Sequence, residues 1–227
     1  MNNDQQEYVE LMSRITQGNR LLSLGAIEKI AAKVEYIQYK KNDLLQSEGK
    51  ISQWLYMISE GIIREHGLRS DGLDVIIALH EPNTGTGSLN SYEESVGCVY
   101  SLSAVTPAAA YRIKCSDYLE LLETDHELSI WYGKELRQSC VNMQKHIMDI
   151  SCRTGEERLE YLLRKRSNLF DKVPQYQLAN FLNMTPVSFS RSKKKIMRKI
   201  SSTGIIPLKN NEQFEKQSFE ITKKKLA

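Results

Sequence analysis

Residues 54–79 read WLYMISEGIIREHGLRSDGLDVIIAL, three compact runs of Trp, Tyr, Ile, Leu and Val separated by Ser59-Glu60-Gly61 and Ser70-Asp71-Gly72. Short β-branched and aromatic runs between Gly-containing turns are a strand pattern, since such side chains suit a pleated, half-buried surface. Outward from this stretch the texture continues. EYIQYKKNDLLQSEGK (35–50) supplies another pair of strands with a turn at Gly49, and VYSLSAVTPAAAYRI (99–113) supplies the closing ones, about eight in all. The expectation is a small β-sandwich or β-roll of the double-stranded β-helix (jelly-roll) kind from Val34 to about Ile113, entered through helices around residues 4–33.

Beyond the strands the period changes. From about Ser129 to Ile150 the apolar residues Leu136, Cys140, Met143, Ile147 and Ile150 follow steps of 4, 3, 4 and 3. That a/d alternation is the seam of a coiled coil and predicts a dimerisation helix, an ordinary helix packed on the roll being the alternative. The chain thus divides into a sensor roll with N-terminal helices (1–127), a dimerisation helix (128–152) and a C-terminal domain (153–227), an α+β architecture.

In the last domain, VPQYQLANFLNMTPVSFSRSKKKI (173–196) describes two short helices joined by a tight turn. Leu178, Ala179, Phe181 and Leu182 give the first an apolar face, and small Ala179 permits a close crossing. Asn183 and Met184 make the turn, Thr185 is an N-cap, and Pro186 takes the first helical position, where a missing N–H costs nothing. Val187, Ser188, Ser190 and Arg191 occupy the early turns of the second helix, the part of a helix-turn-helix that enters a major groove. Lys193, Lys194 and Lys195 follow towards the phosphates, and Phe189 and Ile196 face the core. Charge agrees: residues 153–227 hold 17 Lys or Arg against 7 Asp or Glu, whereas residues 1–152 hold 14 against 21. A basic half of this kind suits double-stranded DNA through counterion release. After Ser201, SFEI (218–221) reads either as a wing strand or as part of a frayed tail ending in Lys223, Lys224 and Lys225.

Several classes are excluded. The N-terminus MNNDQQEYVELMSRI carries Asp4, Glu7 and Glu10 and does not have the form of a secretory signal, and no eighteen-residue apolar stretch occurs, so a cytoplasmic protein without membrane contact is expected. Cys98, Cys115, Cys140 and Cys152 form no CxxC pair, which argues against a zinc or iron–sulfur site and for reduced core thiols, with a redox-sensing pair as the alternative. His66, His80, His126 and His146 show no pairing that marks a haem ligand. HExxH, P-loop and GxSxG elements are missing, so no enzyme, cofactor or metal is expected.

The order of parts, roll then long helix then helix-turn-helix, resembles the Crp/Fnr family of bacterial transcription regulators over about residues 20–205. LLQSEGKISQWLYMISEGIIREHGLRSDGLDVIIALHEPNTGTGSLNSYEE (44–94) is similar to the family's cyclic-nucleotide-binding roll. TGEERLEYLLRK (154–165) and NLFDKVPQYQLANFLNMTPVSFSR (168–191) are similar to its winged helix-turn-helix DNA-binding domain, most like the branch found in Bacteroidetes. The resemblance implies a homodimer that meets DNA and RNA polymerase, with a sensor roll whose ligand reorients two recognition helices through the central helix.

Two departures accompany it. Cyclic-AMP-binding members hold the ribose with a Glu and the phosphate with an Arg followed by Ser or Thr. Alignment of GSLNSYEESVGCVYS (87–101) after Gly87 places Ser88, Cys98 and Val99 at those positions. A buried phosphate without its counter-charge carries a desolvation cost that Cys and Val do not offset, so cyclic AMP and cyclic GMP are not expected and the effector is open. In the recognition helix Arg191 matches the family's Arg, but Val187 replaces its Glu and could meet a thymine methyl instead of a cytosine amine. The expected function is a sequence-specific transcription regulator with an altered or vacant effector pocket. The alternative is a small-molecule or redox sensor, or scaffold, with a degenerate, non-specific DNA-binding domain.

Overall fold

Two four-stranded antiparallel sheets face one another across a core of Tyr56, Ile58, Ile63, Leu102, Ala104, Ala108 and Ala110 in this computed structural model, which describes residues 2–16 and 22–203. The strands are β1 (Glu35–Tyr39), β2 (Leu44–Gln46), β3 (Trp54–Glu60), β4 (Ile63–Leu68), β5 (Asp74–His80), β6 (Gly85–Thr86), β7 (Ser101–Ala104) and β8 (Ala108–Lys114). One sheet has the order β1-β8-β3-β6 and the other β2-β7-β4-β5.

The turn signals therefore mark two different events. Around Gly72, β4 and β5 form a hairpin. Around Gly61, the chain passes from one sheet to the other, and a Cβ there would strike the Pro107 carbonyl oxygen and Ala108 besides requiring a side chain at φ +78°. The pair read in residues 35–50 also splits, β1 lying beside β8 and β2 beside β7.

Helices α1 (Asn3–Thr16) and α2 (Leu24–Ala31) cover the roll by burying Tyr8, Leu11, Met12, Ile27 and Ile30 against Tyr111 and Ile113. After the short α3 (Leu89–Glu93), α4 (Cys115–Thr124) leads into α5 (His126–Cys152). This long helix begins earlier than Ser129 because the Asp125 carboxylate accepts the backbone N–H groups of Glu127 (2.9 Å) and Leu128 (3.1 Å), a strong N-cap. At 1.5 Å per residue it is about 40 Å long, and Leu128 is its one buried residue. Then come α6 (Gly155–Lys165), α7 (Leu169–Lys172), α8 (Gln175–Phe181) and α9 (Pro186–Thr203). Residues from 204 on, including the wing expected at SFEI and the Lys223–Lys225 run, lie outside the described residues. No described helix is long and apolar enough to cross a membrane.

Candidate nucleic-acid interface

The frame of the C-terminal helices is set by α6. Its start is closed by a reciprocal capping box, in which Thr154 and Glu157 each satisfy the other's backbone N–H. Its apolar face, Leu159, Leu162 and Leu163, joins Leu169, Val173, Leu178, Ala179, Leu182, Phe189 and Ile196 in one buried cluster. Arg158 fastens this frame to both neighbours. Its guanidinium donates to the carbonyls of Ile150 (3.1 Å) and Arg153 (2.6 Å) behind it, and of Leu182 (2.9 Å) and Asn183 (3.4 Å) in the turn ahead.

That turn is local chemistry. Asn183 adopts φ +51°, a conformation Asn tolerates better than most residues, and the Met184 N–H returns to the Ala179 carbonyl at 2.9 Å. The Thr185 hydroxyl accepts the Ser188 N–H at 3.1 Å and its carbonyl accepts from Phe189 at 2.9 Å, so α9 starts at Pro186. Phe189 (1% exposed) and Ile196 (0%) fix one side of α9 in the core.

The opposite side is open. Val187 (60% exposed), Arg191, Lys194 and Arg198 succeed one another at steps of 4, 3 and 4, a single stripe of the helix, with Ser188 and Ser190 exposed on its flanks. Arg191, Lys194 and Arg198 have no ion pair among the described residues. The three consecutive lysines do not act alike. Lys195 is bound to Glu156 at 2.8 Å, and Lys193 stands over the Phe170 ring at 5.5 Å from its centroid. The ion pair with Lys195, foremost, holds the Glu156 carboxyl below the usual carboxylate range. Arg198 escaped the sequence reading although its spacing from Arg191 and Lys194 marked the same stripe.

The other face of this unit lies on the roll. The Asn180 side-chain amide pairs with the edge strand β5, accepting the Ile76 N–H at 2.7 Å and donating to the Asp74 carbonyl at 2.6 Å. Arg166 bonds the Glu81 carboxylate (2.5 Å) and the Leu79 carbonyl (2.6 Å), and Asn168 donates to the same carboxylate. Ile62, Ile76, Leu79 and Val105 of the roll belong to the apolar cluster of the C-terminal helices.

Along α5, four of the five residues of the expected seam, Leu136, Cys140, Met143 (64% exposed) and Ile147, are exposed. Ile150 departs from it, being half-buried at the junction with α6. The thiols also divide: Cys98 and Cys115 are buried, whereas Cys140 and Cys152 lie exposed on α5, which corrects the expectation that all four are core residues. Burial pushes the Cys115 thiol up to about 11.

In the cassette, Gly87 adopts φ +122° with Leu55 and the Trp54 carbonyl closing the space a Cβ would need. Ser88 caps α3, its hydroxyl accepting the Ser91 N–H at 3.3 Å. The Ser91 hydroxyl accepts from the Ser52 N–H (3.1 Å) and the Cys98 thiol (3.3 Å) and donates to the Val96 carbonyl (2.5 Å). Cys98 is 3% exposed and Val99 81%.

On the roll, Ser103, His66 and Asp74 form a hydrogen-bonded chain of 3.0 and 2.8 Å, with Arg64 bonding both ends. The order resembles a nucleophilic triad. Ser103, however, is 5% exposed in the interior strand β7, and its hydroxyl is already shared by His66 and Arg64, so no carbonyl substrate reaches it. The group fastens the β4–β5 hairpin. No cluster of three or more His, Cys, Asp or Glu that could hold a metal occurs among the described residues.

No protein-family model and no curated protein matches the chain. Solved structures do resemble it. FixK2 from Bradyrhizobium japonicum superposes with a TM-score of 0.63 at 19% identity over 78% of this chain and 89% of that one. The c-di-GMP responsive global regulator CLP of Xanthomonas campestris gives 0.65 at 15% identity over 78% and 93%. A cyclic nucleotide-binding domain from Methylobacillus flagellatus gives 0.55 at 16% identity over 63% and 82%. These likenesses establish the fold, a cyclic-nucleotide-binding type of roll with helices following it.

Proposed function

We propose that the chain is a homodimeric, sequence-specific DNA-binding transcription regulator of the Crp/Fnr type, with α8 and α9 as its helix-turn-helix, residues 153–227 as its winged DNA-binding domain and the cytoplasm as its place of work. The observation that carries this reading is the stripe of α9. Val187, Arg191, Lys194 and Arg198 face outward on a helix whose other side is held by Phe189 and Ile196. On this reading Arg191 makes a bidentate contact to guanine and Val187 touches a thymine methyl, while Lys194 and Arg198, further along, serve the phosphates.

The apolar residues along α5 support pairing with a second copy, which presents two recognition helices to half-sites about 34–36 Å apart. With Cys140 in the seam, a short bismaleimide should join two chains, and the product should vanish in Cys140→Ser. CLP gives a roll of this fold to a c-di-GMP responsive regulator. Here Ser88, Cys98 and Val99 leave no counter-charge for a cyclic phosphate, so the reading includes an altered or vacant effector pocket and not a cyclic AMP site.

Selection of duplexes from a random pool by the full chain tests the proposal. The expected result is a twofold-symmetric motif whose base preference relaxes at one position in Arg191→Ala. Salt-sensitive binding with no enriched motif overturns it in favour of a scaffold or sensor with a degenerate DNA-binding domain.

A further inference from the structure

Where α5 meets α6 and the end of α8, the fold leaves a cavity of about 230 Å³ whose wall includes Lys145, His146, Arg158, Tyr161, Phe181 and Leu182. Its charge is one-sided. Arg158 bonds only backbone carbonyls, and Lys145 is exposed with no ion pair among the described residues. Asp149, the one carboxylate on the wall, is paired with Arg153 at 3.1 Å. His146 lies nearly parallel to the Phe181 ring, 13° between planes and 5.6 Å between centroids, and is half-buried with no hydrogen bond among the described residues. Burial first, and then Arg158, hold its imidazole below the usual histidine range against the pull of Asp149. At neutral pH it therefore offers one N–H and one lone pair. Apolar walls, aromatic rings and unneutralised cations together describe a site for a flat molecule with an acidic group.

We propose that this junction cavity binds a small aromatic carboxylate, its ring against Phe181, Tyr161 and Leu182 and its carboxylate between Lys145 and His146. Size separates this ligand from a nucleotide. A volume of 230 Å³ is below the roughly 300–1,000 Å³ of drug-sized pockets but ample for a benzoate or naphthoate. The site also lies off the proposed seam, save for Ile150 on its wall. At about 100° per residue, Lys145, His146 and Asp149 lie on a different face of α5 from Leu136, Cys140, Met143 and Ile147. The wall includes both ties of the joint, since Arg158 holds the turn before α9 and Arg166 reaches Glu81 of the roll. An occupant therefore bears on how α9 is presented, a consequence that rests on α9 being the DNA reader, whereas binding does not.

The test is a titration of the full chain with benzoate and 1-naphthoate, followed by the histidine ring resonances, with acetate and benzamide as controls. Loss of a signal in His146→Gln identifies the reporter. The expected result is saturable movement of the His146 signal at millimolar ligand, a raised His146 titration midpoint, and binding at least about tenfold weaker for both controls and in Lys145→Ala. No movement with either aromatic acid, or equal movement with acetate, overturns the site. Binding that leaves affinity for a selected duplex unchanged keeps the site and removes its role in presenting α9, while failure to select any duplex leaves the titration result standing and counts against the DNA reading alone.

Discussion

The cassette at residues 87–99 and the helix α9 are the two places where the resemblance and the proposed function put a phosphate, and they use their polar groups in opposite ways. In the cassette the Ser88 and Ser91 hydroxyls both turn to their own chain. Ser88 caps α3, Ser91 ties three backbone or thiol partners together, and Cys98 is buried. In α9 the cap is made by Thr185 alone, and Arg191, Lys194 and Arg198 are left without ion pairs among the described residues. A polar group already satisfied by its own chain gains little by exchanging that partner for a ligand, whereas an exposed guanidinium gives up only water for its partner.

The comparison breaks most visibly if α9 is not anchored. Phe189→Ala removes a fully buried ring between α6, α8 and α9, and the expected loss is about 3–5 kcal/mol, read as a lower midpoint in urea unfolding. Cassette changes should come nowhere near it. A loss below about 1 kcal/mol would mean that α9 is not held as described, and its outward stripe would lose its meaning. Next in size, Arg191→Ala should cost about 1–3 kcal/mol of discrimination at one operator position while leaving unfolding unchanged. Lys194→Ala should weaken all duplexes alike and reduce the salt slope by about one. Equal behaviour of the two variants would merge base reading and phosphate binding and erase the division within the stripe.

Much of this was legible because it is local. Thr185-Pro186 states where α9 begins, Phe189 and Ile196 state which side is buried, and the Gly61 and Gly72 turns place the strand ends. What those turns connect was not legible. The same kind of signal serves a hairpin at Gly72 and a passage between sheets at Gly61, and only the contact with Pro107 and Ala108 distinguishes them. The differences within the lysine run were hidden for a related reason. Counting charge treats Lys193, Lys194 and Lys195 alike, but Glu156 lies 39 residues away in sequence and takes one of them. Asn180 carried no signal at all, because its partners on β5 stand 104 and 106 residues upstream and a solvent-exposed Asn on a short helix looks the same.

A gentler change sharpens the cassette side. Ser88→Ala removes the N-cap of the five-residue α3, and an expected loss of about 0.5–1 kcal/mol should appear as faster amide exchange at Ser91 with the rest of the roll unchanged. If Ser88 were instead a remnant ligand contact, the substitution would leave Ser91 exchange unaltered.

The smallest effect separates the two regions by pH. Burial, and after it the neighbouring Arg64, holds His66 below its ordinary value near 6.5, against the opposing pull of Asp74 and Glu48. The unfolded chain therefore takes up a proton at His66 before the folded roll does. The stability this contributes is complete above about pH 6.5 and is lost as the pH falls below it. On the α9 side, Glu156 is lowered chiefly by its hydrogen bond to Lys195, and its contribution persists until the pH drops through the carboxylate range. Acidification from pH 7.5 to 5.5 should thus loosen the β4–β5 hairpin and, by the same sign at His146, the α5–α6 junction, while the ion pairs of α9 hold. Amide exchange should rise around His66 and Asp74, and His66→Gln should flatten that dependence. An early rise at α9 instead would place the acid-sensitive element in the C-terminal helices, with His146 at their junction as the group to replace next.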